Sequence, residues 1–120
     1  MPLIQRFEDI KAWQEARKLV TMIYSITNKE LFSRDFGMRD QIRRASVSVM
    51  ANIAEGFDCE SKVEFARFLG IARRSAVEVQ SLLYAALDTK YIDQEEFEIH
   101  YEQARKAKAL IGGFKRSLTK

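Results

Sequence analysis

The side chains most able to do chemistry in this sequence are two pairs of arginines that interrupt apolar segments. Arg43 and Arg44 lie in the first segment, and Arg73 and Arg74 lie in the second. Adjacent residues on a helix point about 100° apart, so at least one arginine of each pair should lie at a boundary between helices. We expect a carboxylate partner there, because a planar guanidinium donates two hydrogen bonds to one carboxylate.

Candidate partners for these arginines lie on the same two segments. They are Asn52, Glu55, Glu64 and Glu78. We favour a structural network in which Arg44 and these residues fix the register of the helices or join subunits. The alternatives are a binding surface, which has less support, and acid-base catalysis, which has the least.

A second basic cluster crowds residues 105–120, whereas acidic residues crowd the start of the same segment. The basic members are Arg105, Lys106, Lys108, Lys115, Arg116 and Lys120; the acidic members are Glu95, Glu96, Glu98 and Glu102. This order complements the dipole of a helix, which alone explains it. The alternative is an electrostatic footprint for nucleic acid or an acidic protein, which a net charge of +3 permits.

Residues suited to catalysis or metal binding are scarce. The single histidine, His100, lacks the second histidine and facing carboxylates of a metal site in a helical bundle, and we expect it to be partly exposed. The single cysteine, Cys59, is interpreted as an ordinary reduced thiol. No glycine-rich phosphate loop is present. We therefore predict a protein that is not an enzyme, with no metal, no cofactor and no small-molecule substrate.

The elements that must position these side chains are helices. Hydrophobic residues make up 47% of the 120 residues, with a single proline, and they recur at intervals of three and four. This pattern predicts one all-α domain over residues 1–120, with helices at about 8–28, 36–57, 62–90 and 94–118. Short links between long helices predict an antiparallel up-down-up-down four-helix bundle.

The predicted ends of the helices rest on capping residues. Ser33 or Asp35 is expected to cap the second helix after a loop, while Ser61-Lys62-Val63-Glu64 and Asp93-Gln94-Glu95-Glu96 resemble capping boxes. Gly56 is expected to end the second helix in a left-handed conformation. Gly112 and Gly113 interrupt the fourth helix at a cost of roughly 1 kcal/mol each, so its last turns should bend or fray.

A membrane location is not expected from the sequence. No apolar run approaches the roughly 20 residues that would span a bilayer. Residues Met1–Arg6 also lack the charged start and apolar stretch of a signal peptide. We expect a cytoplasmic protein without a membrane partner.

Several short blocks, in this order along nearly the whole chain, resemble the four-helix-bundle family of 23S rRNA-intervening-sequence proteins. The blocks are Phe7-Glu8-Asp9-Ile10 with Trp13-Gln14, Phe36-Gly37-Met38, Gln41-Ile42-Arg43-Arg44-Ala45, Asn52-Ile53-Ala54-Glu55-Gly56, Glu64-Phe65 with Phe68-Leu69 and Ile71-Ala72, and Tyr91-Ile92. One departure is Met50, where the family usually has a proline, so a kink in the second helix should be weaker.

The resemblance implies a ring-like homopentamer whose biochemical role is unassigned. It also implies a relationship to accessory proteins of diversity-generating retroelements. That relationship in turn implies binding to a reverse transcriptase and to nucleic acid through a basic surface. The first hypothesis is therefore a homo-oligomer whose basic residues bind RNA or DNA phosphates without base specificity. The second is a scaffold that binds another protein, with the arginines only locking the assembly.

Overall fold

The structure is a computed structural model that describes residues 4–118. A short 3-10 helix, Phe7–Asp9, precedes five α-helices. These are α1 (Lys11–Thr27), α2 (Glu30–Arg34), α3 (Phe36–Phe57), α4 (Lys62–Asp88) and α5 (Gln94–Leu118). The predicted all-α class is confirmed.

The four long helices form the bundle that the short links predict. α3 packs against α1 and α4, and α5 packs against α4 and α1, so the four helices surround one core. Each link is too short for a crossover, so consecutive long helices are antiparallel. The bundle measures 45 × 23 × 19 Å. Among residues 4–118, no helix combines the length and apolarity needed to cross a bilayer.

The predicted apolar stripes converge on the bundle axis. Ile23 of α1, Ile53 of α3, Leu69 and Leu83 of α4, and Ile111 of α5 are fully buried. On α4 the apolar residues at three-four spacing are all buried, which confirms this spacing as the signal that orients the helix. They are Phe65, Leu69, Ala72, Ala76, Val79, Leu83 and Ala86. Burial of this face, rather than helix propensity, supplies most of the stability of such helices.

Capping residues begin three of the helices. Asp35 accepts a 3.1 Å hydrogen bond from the Met38 amide, and Ser61 accepts a 3.0 Å bond from the Glu64 amide. At α5 the capping box is reciprocal, because Asp93 accepts from the Glu96 amide and Glu96 accepts from the Asp93 amide. These starts confirm the capping predictions, except that Glu64 bonds Arg67 instead of completing its box.

Two predictions about the first third of the chain are wrong. The first helix does not start at residue 8, because Ile10 is extended and separates the 3-10 helix from α1. This break buries Ile10 and lets the Phe7 ring pack edge-on against the Trp13 ring, with 5.1 Å between the ring centroids. The expected loop also contains α2, which buries Phe32 completely.

The prediction of a left-handed cap at Gly56 is also wrong. No glycine has a positive φ among residues 4–118, and α3 continues to Phe57. Gly56 instead allows close packing, since a Cβ there would lie 2.8 Å from side-chain carbons of Phe65 and Phe68. The left-handed residue is Lys90, with φ of 64°, at the end of α4.

Candidate nucleic-acid interface

Arg43 is the arginine of the first pair that lies at a helix boundary. Its Nε donates to Thr27 Oγ1 at 2.8 Å, and its Nη2 donates to Asn28 Oδ1 at 3.0 Å. The guanidinium also lies 4.5 Å from the centre of the Tyr24 ring. Its partners are therefore a hydroxyl, an amide and an aromatic ring at the end of α1, not the expected carboxylate. Arg43 therefore joins α3 to α1.

The predicted polar network around Arg44 does not form within one chain. Arg44 is exposed and lines a groove of about 630 Å³ together with Asn52 and Glu55. No hydrogen bond or ion pair joins Arg44 to another residue in the range 4–118. Asn52 donates instead to the Ser48 carbonyl and hydroxyl, at 2.8 and 2.9 Å.

The other two carboxylates of that predicted network lie beside different partners. Glu64 forms a 3.1 Å ion pair with Arg67, one turn along α4. Glu78 accepts a 3.3 Å hydrogen bond from Gln41 across the α3–α4 boundary. These carboxylates do not pair with the predicted arginines, because other partners on the same helix turn or on the facing turn lie nearer. A version of the network between subunits stays a prediction.

The second arginine pair lies on the side of the bundle formed by α4 and α5. Arg73 and Arg74 are both exposed. Only Arg73 lines a groove of about 350 Å³, which it shares with Gly112, Lys115 and Arg116. Among residues 4–118, no acidic residue lines this groove. We call it the α4–α5 groove.

Two basic residues of the predicted α5 cluster already hold acidic partners. Arg105 donates to Glu102 through Nε at 2.8 Å, and this contact lowers the pKa of Glu102. Lys106 lies 3.3 Å from Glu15 Oε1 on α1. Lys108 is half-buried without a carboxylate at ion-pair distance among residues 4–118. Lys120 lies outside the described residues.

Glu15 is a buried carboxylate that the sequence analysis missed. Its side chain is only 1% exposed, and Gln103 donates to its Oε1 at 3.0 Å and to its backbone carbonyl at 2.9 Å. Lys18 and Lys106 approach within 3.4 Å, and Lys11 lies at 3.8 Å. The Gln103 hydrogen bond, with Lys106 and Lys18, lowers the pKa of Glu15 to about 2 despite its burial. We call this set the Glu15 cluster.

His100 is buried, so its predicted partial exposure is wrong. Its side chain is 7% exposed, with Nδ1 2.6 Å from the Glu96 carbonyl and Nε2 3.3 Å from the Met22 carbonyl. The spacing Phe97, His100, Ala104 places it on the buried stripe of α5. Cys59 lies half-buried, 3.5 Å from the Glu55 carbonyl. Within residues 4–118, no three His, Cys, Asp or Glu side chains form a group suited to a metal.

The sequence of the chain matches a known protein family. The family model described as 23S rRNA-intervening sequence protein matches residues 8–113. The chain belongs to this family. No curated protein matches the sequence.

A solved structure has the same fold. It is the 1.70 Å crystal structure of a protein of unknown function from the S23 ribosomal protein family of Bacteroides thetaiotaomicron. The two chains are 25% identical, and their structures superpose with a TM-score of 0.80. The match covers 87% of this chain and 97% of the other. The predicted family and bundle are thus confirmed.

Proposed function

We propose that this chain is a non-enzymatic homo-oligomer that binds RNA or DNA through the phosphate backbone, without reading the bases. The observation that supports this function is a set of basic side chains without acidic partners. Among residues 4–118, no carboxylate lies at ion-pair distance from Arg73, Arg74, Lys108 or Lys115. All four lie on α4 or α5, where a phosphate backbone could contact several of them at once.

Self-assembly would enlarge this surface. A net charge of +3 per chain is modest, but a ring of five copies would present five copies of the α4–α5 groove. Phosphate contacts combine in their effect on affinity, because each one releases condensed counterions from the nucleic acid. The resemblance to a family of ring-like homopentamers supports five subunits.

A second candidate function is a scaffold that binds another protein. The observation favouring it is that large apolar side chains stay exposed in the single chain, including Val63 at 79%, Phe36 at 65% and Leu31 at 57%. Subunit contacts in the ring would cover some of them. Any that remain exposed would suit a protein partner, including an enzyme that acts on nucleic acid.

The deciding experiment measures binding of nuclease-treated protein to generic single- and double-stranded RNA and DNA at about 50 and 200 mM salt. The oligomer mass is measured on the same sample. We expect binding at the lower salt concentration that falls by orders of magnitude at the higher one. An intact oligomer that binds no nucleic acid at low salt would contradict the first function and favour the scaffold.

Arg44 offers a separate test of assembly. If Arg44 pairs with a carboxylate of a neighbouring subunit, Arg44→Ala should lower the oligomer mass at a given protein concentration while each chain stays helical. The matched control is Arg74→Ala, which removes another exposed arginine from a long helix. Equal masses for Arg44→Ala and the unmodified protein would refute an inter-subunit network through this residue.

A further inference from the structure

An exposed aromatic cluster lies at the boundary of α4 and α5. Tyr84 of α4 packs against Phe97 and Tyr101 of α5, with 4.8 and 5.7 Å between the ring centroids. Phe97 is buried, whereas Tyr84 stays 50% exposed. Two neighbouring rings hold the Tyr84 ring in place, so its exposed half is a rigid apolar surface that a flat ligand can cover. We call these three residues the Tyr84 cluster.

The register of α4 against α5 places this cluster in line with basic side chains. Tyr84 contacts Tyr101, and a Cβ at Gly70 would lie 3.3 Å from Lys115 Nζ. In each helix about four turns separate the two residues, so both pairs lie on the same side of the antiparallel helices. Lys108 is midway between Tyr101 and Lys115, about 10 Å from each along the axis of α5. One row therefore runs from aromatic rings to lysines.

The charges along this row favour an anionic ligand at one end only. No carboxylate of residues 4–118 lies at ion-pair distance from Lys108 or Lys115. At the aromatic end, Tyr101 raises the pKa of Tyr84, so the Tyr84 ring stays uncharged near neutral pH. Asp88 is exposed one turn beyond Tyr84 and repels anions there. A polyanion that touches the rings is thus directed toward the lysines.

We infer that this row binds single-stranded RNA or DNA, with one base stacked on Tyr84 and the adjoining phosphates on Lys108 and Lys115. The inference rests on the proposed function and deepens it, because it selects single strands over duplexes. Bases stacked on aromatic rings beside a basic track for the backbone hold single strands without sequence preference, since every base has a π-face. The bases of a duplex are already stacked on one another, so a duplex gains only the phosphate contacts.

The test compares Tyr84→Leu with Tyr24→Leu, which each remove one partly exposed tyrosine from a long helix. Tyr24 is 40% exposed but lies on α1. For each variant, affinity is measured for a labelled single strand, for the same strand with abasic sites, and for the duplex. We expect Tyr84→Leu to weaken binding of the single strand about tenfold, through the loss of one base stack, and to leave the other two affinities unchanged. Tyr24→Leu should leave all three unchanged.

Two further variants separate the ring from the charge. Tyr84→Phe keeps the ring and loses only the hydroxyl, so it should retain the affinity for the single strand. Lys108→Gln keeps the ring and loses a phosphate contact, so it should weaken binding of all three ligands. It should also lower the slope of log affinity against log salt for the single strand by about 0.7 for each chain that touches it. Circular dichroism and oligomer mass, measured for every variant, distinguish a misfolded protein from one that has lost the stack.

The outcomes separate this inference from the proposed function. If nucleic acid binds but Tyr84→Leu and Tyr24→Leu have equal effects, base stacking on Tyr84 is refuted, while binding through the phosphate backbone stands. Equal losses for the single strand and the duplex in Tyr84→Leu would refute it in the same way. If the intact oligomer binds no nucleic acid, the proposed function and the inference both fail. A lower oligomer mass in Tyr84→Leu would identify the Tyr84 cluster as a subunit contact and overturn the assignment.

Discussion

The Glu15 cluster and the α4–α5 groove both bring basic side chains together on one small bundle. They differ in whether the basic side chains have an acidic partner. Three lysines surround a buried carboxylate in the first, whereas an arginine and a lysine without acidic partners face Arg116 across glycines in the second. The first needs nothing from outside the chain. In the second, no carboxylate of residues 4–118 lies at ion-pair distance from Arg73 or Lys115. The comparison teaches that the location of counter-charges, more than the number of lysines and arginines, distinguishes a structural cluster from a binding surface.

The largest expected effect comes from removing the carboxylate of the Glu15 cluster. Glu15→Ala leaves a cavity at the α1–α5 boundary and deprives Gln103 and the lysines of their shared acceptor. We expect the free energy of unfolding to fall by about 3 kcal/mol, from the cavity and the lost hydrogen bond of Gln103, because the half-exposed lysines stay solvated. Urea unfolding followed by circular dichroism measures this loss. An unfolding free energy within 1 kcal/mol of the unmodified value would show that the cluster is not structural.

The same carboxylate should make stability depend on acid pH. The folded-state pKa of Glu15 is about 2, below its ordinary value of 4.5, so the folded state binds its proton less tightly than the unfolded state. Its contribution is therefore complete above about pH 4.5 and is lost as the pH falls toward 2. A shift of this size is worth about 3 kcal/mol, which screening of the half-exposed lysines reduces to about 2 kcal/mol. Unfolding measured between these pH values should show this loss in the unmodified protein and a smaller one in Glu15→Gln.

Alanine substitutions at two glycines should have opposite effects on the free energy of unfolding. Gly112→Ala should raise the free energy of unfolding by up to about 1 kcal/mol, because alanine favours helix and its Cβ meets only flexible side-chain ends. The matched control is Gly56→Ala, whose Cβ would lie 2.8 Å from carbons of Phe65 and Phe68. We expect that variant to lose about 1–3 kcal/mol from overpacking. A destabilised Gly112→Ala would indicate that this glycine has a packing role.

The smallest effect on stability is expected for the cations of the groove. Arg73→Gln and Lys115→Gln each remove a charge that has no carboxylate partner among residues 4–118. Their unfolding free energies should stay within about 0.5 kcal/mol of the unmodified value. Any change should be an increase, because each substitution reduces the repulsion between like charges. A larger loss in thermal or urea unfolding would mean that these side chains support the fold.

The sequence predicts the bundle well because its strongest signal is physical and local. Apolar residues at three-four spacing must face a common core, and Asp35, Ser61 and Asp93 cap helices wherever free amides need acceptors. The error at Gly56 has a clear reason. Glycine permits both a left-handed turn and close packing, and only the approach of Phe65 shows which of them applies.

The candidate site was less predictable because it depends on which residues meet across helices. The sequence identified Arg73, Lys115 and Arg116 as candidate contacts, but did not predict that α4 and α5 bring them to one groove. It also grouped Lys106 with them, because its partner Glu15 lies on α1, which is far away in the sequence although it packs against α5. A signal for Glu15 existed in the spacing Ala12, Glu15, Leu19, which places the carboxylate on the buried stripe of α1.

The measurement that tests the central claim most directly compares Arg73→Gln with Lys106→Gln for both RNA affinity and unfolding free energy. Each variant loses one positive charge, one from each cluster. We predict opposite results: Arg73→Gln weakens RNA binding and leaves stability unchanged, while Lys106→Gln costs about 1 kcal/mol of stability and leaves binding unchanged. Equal losses of RNA affinity in the two variants would contradict the claim that the location of counter-charges separates the binding surface from the structural cluster.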